Sequence, residues 1–106
     1  MNYNKVWIID DDESIRWVLE KALSQEGLEP LCFEEGDSAI RELEHYQPAL
    51  IITDIRMPGI GGLDLLSRIQ AKYPELPVII MTAHSDLDSA VASYQGGAFE
   101  YLPKPF

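Results

Sequence analysis

Apolar positions along the chain follow two rhythms. Five short stretches are apolar almost throughout: Lys5 to Ile9, Pro30 to Phe33, Ala49 to Thr53, Val78 to Met81 and Phe99 to Leu102. Between them the apolar positions recur every three or four residues. Ile15, Val18, Leu19, Ala22 and Leu23 fall at i, i+3, i+4, i+7 and i+8, the stripe of a core-facing helix, and Gly27 supplies a stop. Ala39, Ile40 and Leu43 mark a second helix, Leu63, Leu66 and Ile69 a third, and Leu87, Ala90, Val91 and Tyr94 a fourth ahead of Gly96-Gly97. Pro48, Pro74 and Pro77 punctuate the connections.

Runs such as Leu50-Ile51-Ile52 and Val78-Ile79-Ile80-Met81 do not alternate with polar residues, as expected when helices cover both faces of a parallel sheet. Strands alternating with helices predict a doubly wound α/β fold. Such a sheet carries its site outside the carboxyl ends of the strands, where strand order reverses. No repeat, low-complexity segment or linker divides the chain, so residues 1–106 are expected to form one domain.

Charge changes the picture more than composition does. With 106 residues and 46% apolar content, the chain suits one small globular domain. Its net charge of −10, from 18 acids and 8 bases, argues against direct nucleic-acid binding, which needs clustered Lys and Arg. It also disfavours anionic lipid, and no apolar run approaches the roughly 20 residues of a membrane span, so a cytoplasmic location is expected. Cys32 is alone, which excludes an internal disulfide framework, and it is expected to be a small buried hydrophobe.

The acids and other polar groups gather after the predicted strands. Asp10-Asp11-Asp12-Glu13 follows the first, Asp54 the third, Thr82 the fourth and Lys104 the fifth. Taken singly, each has a plain structural explanation. The acidic run could complement the positive end of a helix dipole, Asp54 could open a turn, Thr82 could cap a helix, and Lys104 could be a solvated charge. Together they converge on one sheet edge. Carboxylates brought together there repel unless a cation or protons intervene, and a divalent metal with oxygen ligands, Mg2+ above all, resolves this. An ammonium and a hydroxyl aimed at the same point would hold the oxygens of a transferring phosphoryl group.

The stretches Ile9-Asp10-Asp11-Asp12, Thr53-Asp54-Ile55-Arg56-Met57-Pro58-Gly59, Met81-Thr82-Ala83 and Pro103-Lys104-Pro105-Phe106 resemble, in order and spacing, those of the response-regulator receiver domain of two-component signalling. The resemblance runs over the whole chain. Ser14 to Leu19 and Ile80 to Asp88 are similar to the NtrC-type branch, in which the receiver controls an attached ATPase and DNA-binding module concerned with nitrogen regulation.

The resemblance implies a five-stranded flavodoxin-like (CheY-like) sheet in the order 2-1-3-4-5. It implies that Asp54 accepts phosphoryl from a sensor histidine kinase, with Mg2+ held by Asp10, Asp11, Asp54 and the backbone carbonyl of Arg56. The triple aspartate leaves room for a shift of one residue that would put Asp12 in place of Asp10. Thr82 and Lys104 would contact phosphoryl oxygens, and Tyr101 occupies the position of an aromatic switch. The loop from Thr82 to Asp86 and the helix carrying Leu87 and Val91 would then move on phosphorylation. Such a domain catalyses only its own phosphorylation and dephosphorylation.

Two other readings compete. Asp10-Asp11-Asp12 imitates the nucleophile motif of haloacid-dehalogenase-like phosphatases, and a receiver fold can also serve as an interaction module that never takes phosphate. A phosphatase of that kind leaves Asp54 without a role, and a passive module has no need of Asp54, Thr82 and Lys104 together. Finally, the pattern calls for a further amphipathic helix after Phe106. Its absence predicts a truncated chain with apolar sheet surface uncovered, and a homodimer formed through that face.

Overall fold

The computed structural model describes residues 4–55, 59–83, 97 and 99–104. The elements run β1 (Lys5–Ile9), α1 (Glu13–Gln25), β2 (Glu29–Phe33), α2 (Gly36–Leu43), β3 (Leu50–Asp54), α3 (Gly62–Lys72), β4 (Val78–Ala83) and β5 (Glu100–Lys104). The helix expected around Leu87 to Tyr94 and the loop through Asp86 lie outside the described residues. All strand pairings are parallel, and the sheet order is β2-β1-β3-β4-β5, the arrangement the resemblance implied.

The continuously apolar strands are buried because the sheet is packed on both sides. On one face Trp7, Ile9, Ile51, Val78 and Ile80 meet Ala39 and Leu43 of α2 and Leu65, Leu66 and Ile69 of α3. Trp7 anchors this side, its ring tilted against Phe33 at 4.9 Å and edge-on to Tyr46 at 5.4 Å. The Tyr73 hydroxyl donates to the Leu43 carbonyl at 3.2 Å and ties the ends of α2 and α3 together. On the other face Val6, Ile8, Ile52 and Met81 pack with Leu19 of α1. Alternate side chains of one strand thus enter different cores, the period-two geometry of a strand covered on both faces.

Three expectations need correction. Of the α1 stripe, Ile15, Leu19 and Leu23 pack on the sheet, whereas Val18, 41% exposed, and Ala22 are exposed. A single sheet face beneath one helix accepts a narrower stripe than the sequence offers. Cys32 is only partly buried, and its Sγ lies 3.5 Å from the Glu20 carboxylate. Burial, with that hydrogen bond adding to it, pushes its thiol pKa up to about 11. The strands also run further than their apolar cores suggest. Asp54 and Lys104 are the last residues of β3 and β5, and Thr82 lies within β4 rather than after it. Backbone pairing continues past the hydrophobic run wherever the neighbouring strand supplies partners: Asp54 lies beside Met81, Thr82 beside Pro103 and Ala83 beside Lys104.

Candidate functional site

Strand order reverses between β1 and β3, which run side by side with Ile9 opposite Thr53. One residue beyond that pair, Asp10 and Asp54 stand at adjacent positions on the carboxyl edge, at the place where a doubly wound sheet opens its crevice. Asp10 is fully buried and Asp54 is 9% exposed, while Asp11 is exposed. One carboxylate oxygen from each of Asp10, Asp11 and Asp54 lies within 4.8 Å of the others.

Three ionised carboxylates this close would repel one another. Two unit charges 4.8 Å apart repel by about 3 kcal/mol at an effective dielectric of about 20. The arrangement is therefore a competent oxygen-donor set for a small hard cation, which would turn the repulsion into attraction. The donor chemistry fits Mg2+, and the partial burial of the set would limit competition from water.

Backbone contacts hold the acids in place. The Asp10 amide donates to the Phe33 carbonyl at 3.1 Å, and the Asp10 carboxylate accepts from the Asp12 amide at 2.9 Å. The carbonyl of Asp10 accepts from Arg16 Nη1 at 2.7 Å. The Asp54 carboxylate accepts from the Ile55 amide at 2.9 Å, and the Ile55 amide also reaches the Met81 carbonyl at 3.2 Å. The Thr53 hydroxyl, buried, donates to the Asp54 carbonyl at 3.1 Å.

The triple aspartate divides its labour. Asp12 is the N-cap of α1, its carboxylate accepting from the Ser14 amide at 2.8 Å, while Glu13 sits in the first turn. Both readings of the acidic run therefore apply, to different residues: Asp12 and Glu13 serve the helix end, and Asp10 and Asp11 face Asp54. The one-residue shift that would exchange Asp12 for Asp10 does not match this geometry. Nor does an Asp-x-Asp phosphatase centre, which would require the third aspartate in the site.

Helix α3 closes the edge behind Asp54. Gly61 is its N-cap and Gly62 its first residue, and the Gly62 amide donates to the Ile55 carbonyl at 2.9 Å. A side chain at Gly62 would run into the Asp54 carbonyl oxygen and come within 2.7 Å of the Ile55 Cα. Only glycine allows this approach. The Gly59-Ile60-Gly61-Gly62 run carried that signal in the sequence and passed unread, as did Arg16, placed so that a helical side chain leaning toward its own N-terminus reaches back over the loop.

The backbones of Thr82 and Lys104 end on the same carboxyl edge, on β4 and β5. The roles expected of the Thr82, Tyr101 and Lys104 side chains and of the Arg56 carbonyl fall outside the described atoms. Among the described residues, no helix is long and apolar enough to cross a membrane.

The chain is similar to known proteins over nearly its whole length. The profile of the response regulator receiver domain matches residues 6–106. The DNA-binding transcriptional regulator NtrC of Proteus hauseri is 56% identical over 106 residues, an alignment spanning all of this chain but 22% of that protein. The chain thus spans about a fifth of the length of the curated relatives it matches. The solution structure of the apo receiver domain of nitrogen regulatory protein C is 57% identical and superimposes with a TM-score of 0.88, covering all of this chain and 86% of that one. The beryllofluoride-activated form of the same domain, equally identical and equally covered, gives 0.83.

Proposed function

The chain belongs to the response regulator receiver domain family, and from that premise we propose that it is the phosphorylation switch of an NtrC-type regulator, with Asp54 as phosphoacceptor. The observation that carries the proposal is the convergence of Asp10, Asp11 and Asp54 at the β1–β3 switch point, with Asp54 almost buried at the end of a central strand. An Asp54 carboxylate oxygen attacks the phosphorus of a phosphohistidine on a sensor kinase. An O–P bond forms, the N–P bond breaks, and the leaving imidazole nitrogen takes a proton from solvent. The product is an acyl phosphate on Asp54. The domain catalyses no other turnover than this transfer and the later hydrolysis.

Asp10, Asp11, Asp54 and the Arg56 backbone carbonyl are the residues that would hold Mg2+. When bound, the ion supplies positive charge against the phosphoryl oxygens. The chain's own residues do the rest. Hydrogen bonds to the amides of Asp12 and Ile55 keep the buried carboxylates of Asp10 and Asp54 aimed at the crevice. Thr82 and Lys104 take the remaining phosphoryl oxygens, and the arriving charge of about −1.5 to −2 draws Thr82 inward, with Tyr101 following. In the parent protein the shifted surface would act on an attached ATPase and DNA-binding region.

Mass spectrometry after incubation with acetyl phosphate and Mg2+ tests the assignment. One phosphoryl group is expected on the wild-type chain, with none when Mg2+ is chelated and none on Asp54→Asn. Undiminished labelling of Asp54→Asn would remove Asp54 from the reaction.

A further inference from the structure

We infer that Arg16 is a positioning residue for the divalent cation, setting the direction of the Asp10 and Asp11 carboxylates through the peptide that joins them; the inference rests on the metal-site reading above. The Arg16 side chain is only 15% exposed and bridges two loops. Its Nη1 donates to the Asp10 carbonyl at 2.7 Å, and its Nη2 lies 3.6 Å from Glu34, the residue after β2.

The Asp10 carbonyl belongs to the Asp10–Asp11 peptide group. A short charge-assisted bond to that oxygen fixes the tilt of the peptide plane, and with it ψ of Asp10 and φ of Asp11. For Asp10 this is one restraint among several, since its amide and carboxylate are also bonded. For Asp11 it is the main one. Among the described residues no hydrogen bond or ion pair holds the exposed Asp11 carboxylate, yet it lies within 4.8 Å of the other two. Its aim comes from the backbone, and the backbone is clamped by Arg16.

Charge alone makes the opposite prediction. A guanidinium beside the site repels an incoming cation, so an electrostatic role predicts tighter Mg2+ binding when the charge is removed, whereas a positioning role predicts weaker binding. Arg16→Met keeps the apolar stem and removes charge and donors. Arg16→Lys keeps the charge but gives up the planar fork. Glu34→Gln removes only the ion pair to a side chain that is 78% exposed.

Calorimetric Mg2+ titration of the four chains, with thermal melts to establish folding, decides the matter. Arg16→Met is expected to bind Mg2+ about tenfold more weakly, as is typical when a residue orienting a ligand is lost. Its labelling rate by acetyl phosphate at saturating Mg2+ should stay within about threefold of wild type. Arg16→Lys should bind at least about threefold more weakly, and Glu34→Gln within about twofold of wild type. Without metal, faster amide exchange at Asp12 in Arg16→Met is the accompanying signature. Unchanged or tighter Mg2+ binding by a cooperatively melting Arg16→Met overturns the inference while leaving the site reading intact; if that variant does not fold, Arg16→Lys is judged by the same criterion. A wild-type chain that binds no Mg2+ overturns both.

Discussion

The two ends of the sheet treat charge in opposite ways. At the amino end Lys5 and Glu29 lie opposite each other in the β1–β2 register and form an exposed ion pair. Their mutual hydrogen bond raises the Lys5 pKa and lowers that of Glu29. At the carboxyl end, one residue past the end of the same strand, Asp10 joins Asp11 and Asp54 in a cluster of like charge, with two of its members nearly or wholly buried. The amino end pairs opposite charges, whereas the carboxyl end gathers like ones, as the proposed cation and phosphoryl site would require.

The largest test of that contrast is a single substitution with two effects of opposite benefit. Asp54→Asn preserves shape and leaves an oxygen to accept from the Ile55 amide, but removes one charge from the cluster. Labelling by acetyl phosphate should fall by at least about a hundredfold, because a neutral amide is a poor nucleophile. In buffer free of divalent cations the same variant should be more stable than wild type by about 1 kcal/mol, and added Mg2+ should stabilise it less than wild type. Equal or lower stability of Asp54→Asn without metal would mean that the acidic edge is not under strain, and the contrast between the two ends would fail.

Packing at the carboxyl end gives the next effect. Gly62→Ala places a methyl group into the Asp54 carbonyl and the Ile55 Cα, backbone atoms that cannot swing away. We expect a loss of about 2–4 kcal/mol in chemical denaturation, and reduced labelling because the shift is passed directly to Asp54. Gly27→Ala is the control. Its φ of +82° makes alanine strained, yet nothing lies within 4 Å of the added atom. A loss of about 1 kcal/mol with labelling unchanged is expected there. If the two substitutions cost the same and both spare labelling, close packing of α3 on β3 does not support the site.

How far the sequence spoke depended on the kind of information each feature needed. The parallel sheet was legible because Leu50 to Ile52 and Val78 to Met81 are apolar without alternation, a pattern with few other physical solutions. The acidic edge was legible because a doubly wound sheet brings the residues after its strands together whatever the details of packing. Strand ends were harder to read. Asp54 extends β3 because Met81 offers a pairing partner on another strand, and no local feature of Thr53-Asp54 announces that. The division of the triple aspartate was also closed to periodicity, since three identical residues differ only in where the backbone turns. What separates them is that the Asp12 carboxylate meets the Ser14 amide, while the carboxylates of Asp10 and Asp11 meet that of Asp54. Arg16 escaped for a similar reason: its fourth place in α1 reads as an ordinary exposed helix position until the preceding loop is seen to lie beneath it.

The smallest expected effect is at the amino end and concerns pH. A group whose pKa is lowered on folding contributes stability above its ordinary value, which is lost as pH falls through the folded value; for Glu29 the loss therefore begins below about 4.5. A group whose pKa is raised contributes below its ordinary value, and for Lys5 that contribution is lost as pH rises beyond 10.5 through the raised folded value. Between these limits the pair should act as a constant, minor stabiliser, weakened by salt because both side chains are exposed. Glu29→Gln and Lys5→Gln should each lower the melting temperature slightly at neutral pH and low salt. The difference from wild type should close below pH 4.5 for the first, above pH 10.5 for the second, and at about 1 M salt for both. The acidic cluster responds to salt in the other direction, because screening relieves like-charge repulsion. Added salt should thus raise the stability of the metal-free wild type and narrow the advantage of Asp54→Asn. A parallel salt response in all three variants would show that the two ends of the sheet do not differ electrostatically in the way their charges suggest.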